Sequence, residues 1–294
     1  MQTRTLGPFT VSAIGLGAMP LSMGNNARPD EAQALATVHA ALDAGVTYID
    51  TADIYAPSWD TMGHNEQIVG KALKTYGGST DGVIVGTKGG ITRAEGEQWG
   101  RDGSPEYLRK AVEASLRALD VDVIDLYQWH RPDRWRVYGE VVETFKQLQD
   151  EGKIKAVGIS NANVEEIEVA LEVLGEGGLA SVQNEFSPRF RSSQDELELC
   201  GKHGVAFLPW SPLGGTGSAA KEIGDRYAAF AEIGRDHGVS PQQVVLAWEL
   251  SLGDHVIPIP GASRPESIID SALATQLVLS GEELDRCSAT GGPR

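Results

Sequence analysis

The sequence predicts an α/β fold, a closed (β/α)8 TIM barrel, and three observations carry that expectation. Eight short runs rich in β-branched residues recur along the 294 residues, each bounded by Gly, Pro, Asp or Asn. Amphipathic helical stretches alternate with them, as in a parallel sheet wrapped by helices. The first run leads into GLGAMP, which lacks the GxGxxG spacing that opens a doubly wound dinucleotide-binding sheet. No linker divides the chain, so one barrel domain over 1–294 is expected.

The opening segment, roughly Gln2 to Val11, is expected to form a β-hairpin capping the barrel floor. The strand runs then follow as SAIGLG, VTYID, GVIVGTK, VIDLYQW, IKAVGIS, ASVQN, GVAFLPW and HVIPI. PDEAQALATVHAALDAG starts with Pro29 and Asp30 and stops at Gly45. SPEYLRKAVEASLRALD has Ser104 as N-cap and Pro105 at the first helical position, with Leu108, Val112, Leu116 and Leu119 on one face. YGEVVETFKQLQDEGK, NVEEIEVALEVLG, SSQDELELCGKHG and SPQQVVLAWELSLG read as further helices, and TRAEGEQWGRDG as a charged, Gly-rich loop.

Composition narrows the functional classes. A net charge of -16 argues against nucleic acid and anionic membranes as partners. No run suggests a signal peptide or membrane span, so a cytoplasmic protein is expected. Cys200 and Cys287 make no CxxC pair, and the six histidines make no HExxH motif, so no metal is expected.

In such barrels the chemistry sits at the C-terminal ends of the strands. There the chain places Asp50, Lys88, Trp129 with His130, Ser160 with Asn161, Gln183 with Asn184 and Glu185, and Trp210. Alone, Asp50 reads as a turn cap, Lys88 as a solvated lysine, Tyr55 as a packing ring and His130 as a strand end. Together they make a different proposition. Asp50 and Lys88 come from adjacent strands and would meet, and Lys88 beside Tyr55 would lower the phenol pKa from its usual ~10. A phenol so tuned can deliver a proton, with His130 orienting a carbonyl oxygen.

These residues sit in motifs that resemble the aldo-keto reductase family. DTADIY, NEQIVGKAL, TKGG, DLYQWHRPD, GISN, VQNEFSP, PWSPLGG and IPIPGASRPESI occur in family order from about Gly15 to Leu284. The resemblance implies a catalytic tetrad of Asp50, Tyr55, Lys88 and His130, with Tyr55 as proton donor in carbonyl reduction. It implies that Ser160, Asn161 and Gln183 hold a nicotinamide carboxamide, with Trp210 against the ring. Ser211, Leu213 and Gly214 lie in the matching pyrophosphate loop, and Gly261, Ser263, Arg264 and Ser267 lie where a 2′-phosphate would be read.

The last segment departs from a common family pattern. Gly261 follows the strand where many members carry Lys-Ser, and Ser267 lies near the place of a helix arginine. Arg264 either replaces that arginine or is a surface charge. NADPH is still the expected cofactor, and these departures leave NADH possible. For substrate, the apolar candidates at the mouth are Met19, Ile54, Trp59, Trp99, Trp129 and Trp210. Trp99 would either cover the substrate or pack on the rim. The motif set is also similar to bacterial members assigned to pyridoxal/pyridoxine redox chemistry. The expected partner is a small-molecule carbonyl compound, acted on by a monomer or weak homo-oligomer. The competing reading is a nicotinamide-binding regulatory or sensor subunit with slow turnover, since fold alone does not separate the two.

Overall fold

A computed structural model of the chain describes residues 1–24, 28–215 and 218–291, without the side chains of 218 and 219. Strands β1 (Thr3–Leu6) and β2 (Phe9–Ser12) form the opening hairpin, in the register Thr3↔Ser12 to Leu6↔Phe9. Its turn takes Gly7 at φ +53°, and a Cβ there would lie 2.6 Å from the Cβ of Ala180. Leu6 and Val11 join Tyr48, Leu126, Ala156 and Ala180 in one buried cluster inside the barrel. The hairpin thus closes the floor.

The barrel strands are β3 (Leu16–Gly17), β4 (Tyr48–Asp50), β5 (Ile84–Gly89), then β8 (Ile124–Trp129), β9 (Ile154–Ser160), β10 (Leu179–Gln183) and β11 (Ala206–Phe207). They pair in parallel in the order β11-β10-β9-β8-β5-β4-β3. The eighth position is filled by the HVIPIPG segment, which among the described residues pairs through isolated bridges, Phe207↔Val256 and Gly17↔Gly261. The reason is local: Pro258 and Pro260 have no N–H to give a ladder. Their carbonyls still accept from Gly15 N (2.9 Å) and Gly17 N (3.0 Å), while Ile257 N donates to Phe207 O at 2.9 Å. The barrel closes.

Helix caps follow the sequence. Asp30 accepts from Gln33 N at 2.8 Å and starts Glu31–Asp43. Ser104 accepts from Tyr107 N at 3.2 Å and starts Pro105–Leu119, whose Leu108, Val112, Leu116 and Leu119 are all buried. Asn163 and Glu166 make a reciprocal capping box before Val164–Leu174. One expectation is corrected. TRAEGEQWGRDG is a hairpin of β6 (Ile91–Ala94) and β7 (Gln98–Arg101), turning at Gly96 (φ +74°) and Glu97 (φ +61°). Its charges hide the alternation that marks a strand.

Glu249 is an anomaly of the helix Pro241–Leu250. It is fully buried, and neither carboxylate oxygen has a partner among the described residues. Burial pushes its pKa well above the ordinary range. The folded chain therefore holds that proton more tightly than the unfolded one, and stability falls as pH rises out of the ordinary carboxylate range. Glu249→Leu is expected to stabilise the fold by about 1–3 kcal/mol at pH 8. The gain should shrink toward pH 4.5, about where an unfolded glutamate titrates. Urea unfolding at both pH values measures it.

Candidate active site

Strand alternation decides which side chains enter the barrel. Tyr48 and Asp50 point inward from β4, with Asp50 Oδ2 3.3 Å from the Tyr48 hydroxyl, while Ile49 packs outward in the helix-facing core. On β5, Lys88 points inward and Thr87 outward, where its hydroxyl donates to Glu66 at 2.6 Å. On β8, Gln128 points inward, between Tyr127 and Trp129 in the outer core.

Asp50 is the node of the interior. Lys88 Nζ donates to its Oδ1 at 2.6 Å and to Thr51 O at 2.8 Å. Gln183 Nε2 donates to Oδ2 at 2.8 Å, and Gln128 Nε2 at 3.3 Å. The ion pair is almost wholly buried, at 0% exposure for the Lys88 side chain and 4% for that of Asp50. Lys88 Nζ lies 5.1 Å from the centroid of the Tyr55 ring. The Tyr55 and His130 rings meet edge-on, with centroids 5.6 Å apart. The sequence-derived tetrad is thus brought together.

Electrostatics assign each group a charge state. Burial pulls the Lys88 pKa down, but Asp50 and Tyr55 more than offset it, so the ammonium is held above its ordinary value. Burial, then the cations of Lys88 and Arg131, drive His130 well below 6.5, so its imidazole is neutral at pH 7. The expected tuning of Tyr55 is corrected. Lys88 does pull the phenol down, yet burial is the larger influence and the net direction is upward. Near neutral pH the half-buried phenol keeps its proton.

The residues matched to a cofactor line the same rim. Ser160 Oγ donates to Gln183 O at 2.7 Å, and Asn161 Nδ2 donates to His130 O at 3.0 Å. Asn161 (φ +58°) and Ser211 (φ +52°) hold left-handed backbone, a conformation that concentrates at functional sites. Gly214 also turns at φ +79° in the Ser211–Gly215 loop, and Leu213 packs half-buried beneath it. Trp210 has a buried indole N–H with no partner among the described residues. Gly261 and Arg264 are exposed, Ser263 O accepts from Gln33 Nε2 at 2.7 Å, and Arg264 Nε donates to Ser267 Oγ at 3.1 Å. Arg264 is the N-cap residue of the helix Pro265–Leu273, and its side chain caps no backbone amide. A helix N-terminus without a side-chain cap, next to an exposed guanidinium, fits a phosphate.

The apolar candidates divide. Met19 is half-buried on a 3-10 turn after β3. Trp59 (38% exposed) and Trp99 (52% exposed) belong to elements tied together by the Trp59 N–H on Glu97 (3.0 Å) and by Arg93 Nη1 on Ala56 O (2.8 Å). Trp99 lies under the Arg93 guanidinium at 4.7 Å. Trp129 is corrected: at 1% exposure it packs outside the barrel against Tyr138, centroids 4.8 Å apart, and does not face the mouth. Ile54 is likewise buried, with Ala52 and Ile91.

Four residues escaped the sequence reading. Gln128 was legible from alternation, since it shares parity with inward Leu126. Arg131 follows His130 and reaches the Trp210 ring at 5.9 Å. Asp53 and Glu66 are buried behind the β5 wall, and burial raises both, Glu66 to about 7. Only three-dimensional packing shows those two.

Fold and site together define an α/β barrel with a lysine–carboxylate pair beneath a phenol and an imidazole. Residues 13–291 match the Aldo/keto reductase family, and the chain belongs to it. It is 34% identical over 278 residues to the 6-dehydroglucose reductase of Novosphingobium aromaticivorans, covering 90% of this chain and 88% of that one. It superposes on the glycerol dehydrogenase of Gluconobacter oxydans with a TM-score of 0.82 at 27% identity, covering 98% and 94% of the two chains. It also superposes on an aldo/keto reductase of Klebsiella pneumoniae in complex with NADP and acetate, with a TM-score of 0.80 at 29% identity, covering 98% and 95%. Among the described residues, no helix is long and apolar enough to cross a membrane.

Proposed function

We propose that the protein is an NADPH-dependent reductase that converts aldehydes or ketones to alcohols, reversibly, with Tyr55 as proton donor. The observation that carries this reading is the buried Lys88–Asp50 pair set beneath Tyr55 and His130. A buried ion pair is costly to build, and here it places its charge where a phenolate would form. When bound, NADPH supplies the hydride. Ser160, Asn161 and Gln183 would hold its carboxamide, Trp210 its ring, the Ser211–Gly215 loop its pyrophosphate, and Arg264 with Ser263, Ser267 and Gly261 its 2′-phosphate.

The Tyr55 hydroxyl gives its proton to the carbonyl oxygen, and the Lys88 ammonium steadies the phenolate left behind. His130, being neutral, contributes a hydrogen bond that orients the carbonyl. In oxidation the phenolate takes the alcohol proton back. Met19, Trp59 and Trp99 would line the substrate side, and the similarity to the 6-dehydroglucose reductase of Novosphingobium aromaticivorans makes oxidised sugars one substrate class to try. We place the protein in the cytoplasm, as one barrel domain over residues 1–294, a monomer or weak homo-oligomer.

The test is the initial rate of NADPH oxidation with 4-nitrobenzaldehyde, 9,10-phenanthrenequinone, methylglyoxal and pyridoxal, with NADH in parallel. Carbonyl-dependent turnover is the expected result. Tight NADPH binding with no turnover would instead favour a cofactor-sensing subunit. Arg264→Ala should raise the KM for NADPH about tenfold, the weight of one charge-assisted hydrogen bond, and leave NADH nearly unaffected. Equal weakening of both cofactors would remove Arg264 from the phosphate.

A further inference from the structure

The arginines around the barrel mouth differ in one respect. Arg134 binds Glu166 at 2.7 Å, Arg136 binds Asp133 at 2.8 Å and Asp102 at 3.2 Å, and Arg93 binds Glu97. Arg131 is half-buried and makes no hydrogen bond or ion pair with any described residue. Acid is not scarce, with 41 Asp and Glu against 25 Lys and Arg. Arg131 stands directly after His130, at the end of β8. Its guanidinium lies 5.9 Å from the ring of Trp210, which follows β11, with the ends of β9 and β10 between the two strands. It therefore spans the mouth. Arg101 closes on the same loop, with Nη1 on Pro132 O at 3.0 Å.

A partly desolvated charge without a counter-ion is unfavourable unless something completes it. Burial first, then Arg101, presses the Arg131 guanidinium to lose charge, while Tyr55 and Glu185 favour keeping it. Glu185 is the acid whose charge acts on Arg131, yet the two form no ion pair, and burial pushes the Glu185 carboxyl up toward the neutral form. The site is thus locally cationic within a chain of net charge -16. The planar fork of an arginine is suited to two oxygens in one plane.

We propose that Arg131 selects carbonyl substrates that also carry a carboxylate, with Arg101 as an outer cation. This rests on the reductase reading above and adds the substrate class. The carboxylate would lie on the Arg131 fork, which holds the carbonyl end toward Tyr55.

The test compares 3- and 4-carboxybenzaldehyde with 3- and 4-nitrobenzaldehyde, since nitro matches carboxylate in shape without its charge. The readout is the ratio of kcat/KM for the carboxylated over the nitro compound, in wild type, Arg131→Gln and Arg131→Lys. Arg131→Gln is expected to lower that ratio about 10- to 100-fold for at least one isomer pair, as loss of a charge-assisted pair requires. Arg131→Lys should fall between, because charge remains but the fork is lost. The wild-type ratio should also drop as salt rises. An unchanged ratio in Arg131→Gln overturns the proposal, including the case where both substrates slow equally and the KM for NADPH rises. Failure of wild type to turn over both the carboxylated and the nitro compounds would remove the reductase reading itself, and this proposal with it.

Discussion

Tyr55→Phe is expected to lower the rate of aldehyde reduction by about 100- to 10,000-fold while NADPH binding is retained. The argument is one of elimination among the groups at the barrel mouth. His130 is driven well below 6.5 by burial and by two neighbouring cations, so at pH 7 it holds no surplus proton. Lys88 is held above its ordinary pKa, and its ammonium is already committed to Asp50 and to Thr51 O. Tyr55 alone combines a proton it keeps at neutral pH with a cation placed to stabilise what remains. Phenylalanine preserves the ring and its edge-on packing with His130, so cofactor affinity by fluorescence titration should stay near wild type. Wild-type-like turnover in the variant would end the proton-donor assignment.

The upward shift of Tyr55 also sets a pH signature with a definite sign. Reduction needs the phenol, which persists through neutral pH, so the Tyr55 step should be flat from about pH 6 to 8. Oxidation needs the phenolate and should climb steadily with pH over that range and beyond. Rates in both directions against pH decide it: a reduction rate that falls between pH 6 and 8, once His130→Gln has been compared, would show a phenol pKa lowered rather than raised.

The barrel and its mouth were legible because both rest on local rules. Prolines, Ser104, Asn163 and Gly45 punctuate the helices, and the β-branched runs mark the strands. Asp50 and Lys88 were legible because adjacent parallel strands must put their ends side by side. What was misread has physical causes. Trp129 ends a strand, which points to the mouth, but a period of two sends its side chain outward and Gln128 inward. The sequence points the Tyr55 shift the wrong way because a neighbouring charge can be inferred from sequence and desolvation cannot. The β6–β7 hairpin was hidden by its charged surface, and the eighth strand lost its ladder to the two prolines that its spelling displays. Arg131 lay in plain view in HRPD, yet the lack of a partner is visible only when every neighbouring carboxylate has been placed.

Lys88→Met should affect stability and turnover together, and a second substitution should separate them. Removing the ammonium leaves Asp50 Oδ1 and Thr51 O without the donor they have at 2.6 and 2.8 Å. An unpaired buried carboxylate of this kind costs about 3–5 kcal/mol. Asp50 would keep only Gln183, Gln128 and Tyr48. Because the folded-state pKa of Lys88 is raised, its contribution is present throughout the neutral range and is lost only as pH climbs above the ordinary lysine range. Asp50→Asn combined with Lys88→Met removes both charges, so most of the lost stability should return. Turnover should not return, because the phenolate of Tyr55 still lacks the cation that steadies it, a loss of about 100- to 1,000-fold for one such electrostatic partner. Urea unfolding and kcat, measured on the single and double variants, thus read two different quantities. If kcat recovered along with stability, the pair would be a structural strut beneath the site, and the charge assigned to Tyr55 would have to come from elsewhere.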